Sequence, residues 1–206
     1  MQQKKSILLL GAGGHARSCI DVIEEQGLYQ IVGLIGVESE RGASVFGYPV
    51  LGTDAELPEL LKRYDAGLVT IGQIKDFEPR IQLFEQLFES GRAQPPIISP
   101  HAHVSRHAVV GDGTIVLHGA IVNAGASVGR NCIINSLAIV EHDAAVGDHC
   151  HISTGARLNS SVVIGEGSFV GSGVTIKQGV RIGRHCVVGM GLSVRRDCPD
   201  GTIQPA

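Results

Sequence analysis

The stretch VSRHAVVGDGTIVLHGAIVNAGASVGRNCIINSLAIV, residues 104–140, carries an aliphatic residue at every sixth position. The same register continues without a break to Val194, which gives sixteen aliphatic positions in all. A second column, made mostly of small residues, lies two positions before the first and runs from Ala102 to Leu192. Because side chains alternate along a strand, the two columns share one face. The period of six therefore predicts short strands joined by tight turns.

A glycine also recurs every eighteen residues, at Gly111, Gly129, Gly147, Gly165 and Gly183. Three six-residue units per glycine predict a triangular coil, with these glycines at one corner, where a positive φ costs glycine little. Stacked coils form a parallel β-helix, a known architecture for hexapeptide repeats. About ninety residues provide about five coils, or a prism roughly 24 Å tall at about 4.8 Å per layer.

The composition agrees with a narrow prism filled by small and branched side chains. Aromatic residues are only 4% of the chain, which has 28 glycines. The net charge of −3 argues against nucleic acid as a partner. Cys132, Cys150 and Cys186 fall in the inward column and are expected to be small buried hydrophobes, as in a reducing cytoplasm. We also expect no signal peptide and no membrane span.

A different pattern precedes the repeats. Residues 6–10, SILLL, predict a buried strand, and an amphipathic helical pattern follows over residues 17–25. Between them stands Gly11-Ala12-Gly13-Gly14-His15-Ala16, a G-x-G-x-x-A turn. Strand, glycine turn and helix form the first unit of a dinucleotide-type fold, whose amides suit a phosphate. A tight turn without a ligand would have the same sequence, so both interpretations stay open.

The rest of the first hundred residues predicts a small α/β domain. Further strands are predicted at 30–35, 48–51 and 68–71, and helices at 54–63 and 78–90. Pro95, Pro96 and Pro100 mark a boundary. The sequence thus predicts a Rossmann-like domain over residues 1–96, sized for one mononucleotide, and a β-helix over residues 97–206.

Polar residues gather at the corners of the third coil, namely Asn135, Ser136, Glu141, His142, Asp143, His149 and His151. His142 follows inward Val140 by two positions, so it should face outward at a corner beside Asp143. A histidine held by a carboxylate is the minimal general base. The alternative is an exposed corner histidine without a function, which we favour for His101, His103, His107 and His185.

The G-A-G-G-H-A turn, the Pro-rich link and coils carrying N-S-L-A-I-V-E-H-D at residues 135–143 resemble one family. It is the sialic-acid O-acetyltransferase-like sugar acyltransferases, which include bacterial N-acetyltransferases of nucleotide-linked 4-amino sugars. The resemblance covers essentially the whole chain. It implies a left-handed β-helix, acetyl-CoA-dependent transfer to a sugar amine or hydroxyl, and no metal. It also implies homotrimers with active sites between subunits, and surface polysaccharide synthesis as the setting.

The resemblance also implies roles for individual residues. His142 matches the family's base, and Asp143 matches the acidic residue that orients it. The nucleotide-sugar loop is matched by Gly11, Gly13, Gly14 and His15, and the acceptor site by Asn135. His151 matches a histidine near the acyl donor. The CoA groove is matched by Ser160, Ser172, Gly173, Met190 and Gly191.

Two departures from the family pattern leave alternatives open. The family's acidic pair is expected after the second strand, where this chain reads Ile35-Gly36-Val37-Glu38, so either Glu38 substitutes for the pair or the nucleotide base is not uracil. Asn159-Ser160 replaces a small pair at the donor site, which leaves the size of the acyl group open. Because of these departures, a non-catalytic binding or scaffold protein remains an alternative to an enzyme. For an enzyme, the group that accepts the acetyl could be a sugar hydroxyl instead of an amine. A zinc hydratase resembling γ-class carbonic anhydrases would use His142, His149 and His151 as ligands. Its relatives lack a nucleotide-type first domain.

Overall fold

The computed structural model describes residues 4–74 and 76–206. The α/β part of the chain contains β1 (Lys5–Leu10), α1 (Gly14–Gln26), β2 (Tyr29–Ile35), β3 (Ser44–Val45), β4 (Tyr48–Gly52), α2 (Leu57–Leu61), β5 (Ala66–Val69) and α3 (Glu78–Glu89). Two 3₁₀ turns, Glu38–Glu40 and Asp54–Glu56, precede β3 and α2. The predicted helix over residues 54–63 is therefore a 3₁₀ turn followed by one short helix, and β3 was not predicted.

The five strands form one sheet in the order β3-β4-β2-β1-β5. All neighbours are parallel except β3 and β4. Leu8, Leu9 and Leu10 of β1 are fully buried because both faces of the sheet are covered, by α1 on one side and by α2 and α3 on the other. The carboxyl ends of β1, β2, β4 and β5 meet at one edge, where parallel sheets of this kind bind ligands.

The remaining strands are two residues long and build a β-helix. They are β6 (Ile97–Ile98), β7 (His103–Val104), β8 (Val109–Val110), β9 (Ile115–Val116), β10 (Ile121–Val122), β11 (Ser127–Val128), β12 (Ile133–Ile134), β13 (Ile139–Val140), β14 (Ala145–Val146), β15 (His151–Ile152), β16 (Arg157–Leu158), β17 (Val163–Ile164), β18 (Phe169–Val170), β19 (Thr175–Ile176), β20 (Arg181–Ile182), β21 (Val187–Val188), β22 (Ser193–Val194) and β23 (Ile203–Gln204).

These strands pair in parallel with a step of eighteen residues, as in Val122↔Val140↔Leu158, except for β21 and β23, where the step is sixteen. They form three faces: face A (β7, β10, β13, β16, β19, β22), face B (β8, β11, β14, β17, β20) and face C (β6, β9, β12, β15, β18, β21, β23). The inward columns meet in one continuous core, confirming the predicted register. The predicted fold class, a Rossmann-like domain followed by a left-handed parallel β-helix, is also confirmed.

The prediction that the repeated corner glycines adopt positive φ is wrong. Positive φ occurs two residues later along the chain, at Gly113, Asn131, His149, Gly167 and His185. The repeated glycines are needed because coils touch there: a Cβ on Gly165 would lie 2.5 Å from the carbonyl carbon of Gly183. Close stacking of backbones, and not conformational freedom, explains the eighteen-residue glycine period.

The inward cysteines do more than fill space. Cys132, Cys150 and Cys186 are fully buried, and all five cysteines are free thiols. The Sγ of Cys132 lies 3.1 Å from the carbonyl oxygen of Gly147, and that of Cys150 lies 3.2 Å from that of Gly165. At equivalent positions, the hydroxyls of Thr114 and Ser168 donate to Gly129 and Gly183. This column therefore supplies donors that hold each coil's corner carbonyl, a role the sequence analysis did not assign to the cysteines.

The α/β domain packs on the outside of face C. Ile97, Ile115 and Ile133 point out of the β-helix, yet they are fully buried in one apolar cluster with Ile7 and Ile20. The outward positions of β6, β9 and β12 are thus an interface, whereas Ile203 at the far end of the same face is exposed. None of the helices within residues 4–74 and 76–206 is long and apolar enough to cross a membrane.

Candidate functional site

A cleft of about 380 Å³ opens at the carboxyl edge of the α/β sheet. It is lined by the glycine turn after β1, by the residues after β2 and β5, and by one side of α3. Glu40 and Asp54 bring carboxylates to this cleft, and Gln82 and Gln86 bring side-chain amides. The cleft is therefore lined by the backbone of the glycine turn together with polar side chains.

The glycine turn has the geometry that a phosphate requires. Gly11 has φ 122° and donates its N–H to the Ile35 carbonyl at 2.8 Å, and a Cβ there would meet the backbone of Ile71. A Cβ added to Gly13 or Gly14 would meet no other atom within 4 Å, so the backbone there is open to a ligand. Helix α1 begins at Gly14 without an acidic residue in its first turn, so its free amides are favourable for an anion.

Glu38, the predicted substitute for the family's acidic pair, does not line this cleft. Its carboxylate is bound by Arg41, with Nε to Oε1 at 2.8 Å. Arg41 also binds Glu56, so the cation bridges two surface carboxylates. Glu40 and Asp54 take the place at the cleft that the sequence analysis gave to Glu38, because the 3₁₀ turn reverses the chain after Val37.

His15 lies directly after the glycine turn, within the first turn of α1. The residue is half-buried, but its Nε2 is sealed from solvent and has no hydrogen-bond partner among the described residues. Burial, followed by the charges of Arg80 and His151, lowers the pKa of His15 to about 3. The ring is therefore neutral at any physiological pH.

His151, on the outward column of face C, is covered by the α/β domain and lies close enough to His15 to affect it electrostatically. Its Nδ1 lies 2.7 Å from the carbonyl oxygen of Gln73 and must therefore carry the proton. Its Nε2 lies 3.2 Å from Nδ2 of Asn135 and accepts a hydrogen bond. Burial lowers the pKa of His151 to about 4. The structure thus brings the predicted residues His15, Asn135 and His151 to one region.

The pair His142 and Asp143 occupies the corner after β13, between faces A and B. Nδ1 of His142 lies 2.9 Å from Oδ2 of Asp143, and the two side chains are 56% and 66% exposed. Asp143 has φ 59°, a left-handed conformation that aspartate tolerates better than most residues. With the Nδ1 proton donated to Asp143, Nε2 of His142 is left free to accept a proton.

The predicted site residues fall on two different edges of a single chain. Ser160 lies on the corner of His142 one coil further along, where Ser161 N–H donates to the His142 carbonyl at 3.1 Å. The other predicted CoA residues, Ser172, Gly173, Met190 and Gly191, stack along the edge between faces C and A, in line with Asn135. Face A separates the two edges, so one chain does not bring His142 to Asn135.

The three histidines of the zinc alternative are not brought together either. His149 and His151 are buried under the α/β domain, whereas His142 is exposed on another corner. Asn131 also donates its amide to Nδ1 of His149 at 3.0 Å. Within residues 4–74 and 76–206, no group of three or more His, Cys, Asp and Glu side chains is arranged to hold a metal ion.

Two residues of this region were missed by the sequence analysis. Gln73 contacts both buried histidines, and Arg80 is buried beside them. A signal for Arg80 was available, since it stands on the apolar stripe of α3 with Phe84 and Leu87. For Gln73 no signal was available, because its contact with His151 uses a backbone carbonyl.

Two family models match the chain: the PglD N-terminal domain over residues 6–87, and the hexapeptide repeat of succinyl-transferase over residues 161–196. Comparison with curated protein sequences gave no match. Solved structures, in contrast, match over nearly the full length.

The acetyltransferase domain of PglB from Neisseria gonorrhoeae is 30% identical, with a TM-score of 0.88, over 98% of this chain and 97% of that one. A second structure of it, 29% identical, contains acetyl coenzyme A. PerB from Caulobacter crescentus, in complex with CoA and GDP-perosamine, is 32% identical, with a TM-score of 0.90, over 98% of this chain and 94% of that one.

Proposed function

Since the chain belongs to the hexapeptide-repeat sugar acyltransferases that carry a PglD-type N-terminal domain, we propose that it transfers acetyl from acetyl-CoA to the amine of a nucleotide-linked amino sugar. The observation that carries this proposal is the His142–Asp143 pair, which leaves one histidine nitrogen free at an exposed corner. The glycine turn and the acetyl-CoA and CoA complexes of the related enzymes support it.

The α/β cleft is the proposed site of the nucleotide. Its diphosphate would lie over Gly13 and Gly14, at the start of α1. Two carboxylates, Glu40 and Asp54, would accept hydrogen bonds from the nucleoside. Guanine presents adjacent N–H donors that suit a carboxylate, whereas uracil presents one donor between two acceptors. Together with the GDP-perosamine complex of PerB, this favours a GDP-linked sugar.

His142 is the proposed general base. As the amine nitrogen forms its bond to the thioester carbonyl carbon, Nε2 of His142 takes up the ammonium proton that the nitrogen loses. Asp143 holds Nδ1–H and stabilises the imidazolium, and the proton then passes to the CoA thiolate that leaves as the C–S bond breaks. Such base catalysis contributes about 10²–10⁴-fold. Positioning of both substrates in one groove contributes a further part of the rate acceleration.

The two edges of the β-helix must be contributed by neighbouring chains for this chemistry to occur. His142 and Ser160 lie on one edge, and Asn135 and His151 lie towards the other. A homotrimer in which one edge of each chain faces the other edge of its neighbour would join them, and its rotational symmetry would create three equal sites. We therefore propose that the active site lies between subunits.

The test is a measurement of thiol release from acetyl-CoA with a panel of GDP-, UDP- and dTDP-linked amino sugars. Release with one amine acceptor, and an acetamido product by mass spectrometry, is the expected result. Release only with sugars that lack an amine would replace the amine by a hydroxyl acceptor. No release with any acceptor, together with no binding of CoA by calorimetry, would overturn the proposal.

A further inference from the structure

Arg80, in the first turn of α3, is the largest fully buried side chain of the described residues and is 1% exposed. Its Nη1 donates to the carbonyls of Val69 and Ile71, at 2.9 Å and 2.8 Å, and its Nε donates to that of Asn131 at 3.2 Å. No carboxylate in residues 4–74 or 76–206 forms an ion pair with it. A buried cation without a counter-ion costs stability, so a purely stabilising role does not explain this arginine.

The carbonyls that Arg80 binds belong to both parts of the chain. Val69 and Ile71 stand at the end of β5, and Asn131 stands at a corner of the β-helix. Asn131 returns the contact, because its Nδ2 donates to the Arg80 carbonyl at 3.3 Å. Thr70, between the two bound carbonyls, donates its hydroxyl to Gly11 at 2.7 Å. Arg80 therefore clamps the end of β5 onto the β-helix.

The clamped segment leads directly to Gln73, which is 4% exposed. The Gln73 carbonyl accepts the Nδ1 proton of His151 at 2.7 Å, and its side-chain amide donates to the His149 carbonyl at 2.7 Å. Only one residue, Gly72, separates Ile71 from Gln73. A displacement of the end of β5 would therefore move the carbonyl that holds the His151 ring.

The Gln73 contact decides which nitrogen of His151 is protonated. With the proton on Nδ1, Nε2 accepts a hydrogen bond from Asn135 at 3.2 Å. Burial lowers the pKa of His151, the Gln73 carbonyl acts in the opposite direction, and the charge of Arg80 lowers it further. The His151 ring is thus held neutral, in one tautomer and one orientation, where the sugar acceptor and the acetyl donor are predicted to meet.

We propose that Arg80 is a positioning residue of the acetyl-transfer site: it fixes the Gln73 carbonyl, which keeps His151 in the Nδ1–H tautomer with Nε2 directed at Asn135. The kinetic part of this inference rests on the proposed function. The tautomer itself does not, so the two can fail separately.

The first test is the ¹⁵N spectrum of ring-labelled histidine in Arg80→Lys, with Arg63→Lys as the control at an exposed position. A lysine keeps the charge, but its single ammonium does not span three carbonyls in both parts of the chain. We expect wild type and control to show His151 protonated at Nδ1 alone, and Arg80→Lys to show both tautomers. A His151→Gln sample assigns the signals. A folded Arg80→Lys protein with the wild-type tautomer would overturn the proposal.

The second test is the kinetics of the same proteins. We expect kcat of Arg80→Lys to fall about tenfold or more, since small misplacements at a reacting site are costly. The KM of the nucleotide sugar should change less than about twofold, because Arg80 is not among the residues that line the cleft. Equal changes in kcat and KM, or a lower Tm with unchanged kcat, would show that Arg80 has a structural role and does not position the site.

If Arg80→Lys does not fold, Arg80→Met replaces it. Methionine is a long apolar side chain without a donor, so it removes all three contacts with the carbonyls and leaves Asn131, which also binds His149, unchanged. Mixed His151 tautomers in this variant support the clamp, and an unchanged tautomer refutes it. If the wild-type protein shows no acetyl transfer but the Arg80 variant still shows both His151 tautomers, the clamp is supported and the proposed function fails.

Discussion

At the scale of single residues, the proposed site contains histidines in opposite surroundings. His142 is exposed, with a carboxylate partner, whereas His151 is buried, His15 is half-buried with its Nε2 sealed from solvent, and both rings are neutral. An exposed imidazole exchanges its proton readily with solvent, as a base must do between turnovers. The buried rings keep one protonation state and serve better as fixed hydrogen-bonding groups. The surroundings thus assign different tasks to the same side chain.

Replacement of His142 by alanine should lower kcat about 10²–10⁴-fold, because the general base is lost. The Tm should stay within about 1 °C of wild type, since the side chain is exposed and its hydrogen bond is to the equally exposed Asp143. His107→Ala, at an exposed position of the same corner two coils earlier, is the matched control and should be fully active. A His142→Ala enzyme with less than a fivefold loss would exclude His142 as the base.

Acidification should destabilise the protein between about pH 6.5 and pH 4. The folded-state pKa values of His15 and His151, about 3 and about 4, lie below the unfolded value, so the unfolded chain binds more protons in this window. Stability therefore rises with pH there and is lost as pH falls, by on the order of a few kcal/mol. His15→Gln should flatten this slope in thermal melts, and His107→Gln should not. An unchanged slope in His15→Gln would show that the ring is not held neutral by the fold.

The adjacency of His142 and Asp143 made this pair predictable from the sequence. Asn135 and His151 were predicted by resemblance, and the structure places them in contact. What the sequence did not reveal is the covering of His151, because the residues that cover it lie about eighty positions earlier. The roles of all these residues stay predictions until the variants are measured.

At the scale of elements, the β-helix shows how short strands can be stable. Each strand has two residues, far too few to persist alone, but each pairs with strands of the preceding and following coils. Thiol and hydroxyl donors inside one corner hold the backbone carbonyls between the strands. The stability of each coil thus depends on its neighbours, as in other repeat proteins.

Gly165→Ala should be strongly destabilising, because the added methyl group would lie 2.5 Å from the backbone of the next coil. Overpacking of this kind costs about 1–3 kcal/mol or more, which should lower the Tm by several degrees. Gly155→Asn is the control: Gly155 has φ 65° and open space around it, and asparagine tolerates this conformation. Equal melting temperatures for the two variants would contradict the stacking explanation.

The register of the coils could be predicted because it depends on local alternation and a fixed period. The α/β elements were also found, although their ends differed by a few residues. In the helix predicted at 54–63, the Glu56 carboxylate accepts the Thr53 N–H and stabilises a 3₁₀ turn, and Pro58 then stands at the start of α2. Such local capping contacts compete with the helical pattern and are hard to weigh from sequence.

At the scale of the whole molecule, face C of the β-helix is the surface on which the α/β domain is built. Its outward column contains Ile97, Ile115, Ile133 and Phe169, all buried. The outward columns of faces A and B are more polar and more exposed. The sequence analysis identified the inward columns but not this outward apolar column, and the partner that covers it could not be predicted, since domain docking depends on contacts far apart in the chain.

Mixing of two inactive variants should restore activity if the active site lies between subunits. His142→Ala and Asn135→Ala damage opposite edges, so a mixed trimer contains some interfaces with both residues intact. After denaturation and refolding of a 1:1 mixture, about one quarter of the sites should be intact, the product of two halves. Mixing without refolding is the control and should stay inactive. No recovery after refolding, with trimers present by light scattering, would place both residues of a working site in one chain.

The eighteen-residue step between stacked strands has a consequence for how such enzymes can diverge in length. Insertion or loss of one whole coil leaves every inward column in place and every strand on its own face, whereas a shift of one residue within a strand would turn inward residues to the outside. The span of the groove along the prism can therefore change only in increments of about 4.8 Å. Finer adjustment to a longer or shorter donor is left to the corners, where side chains vary without disturbing the ladder.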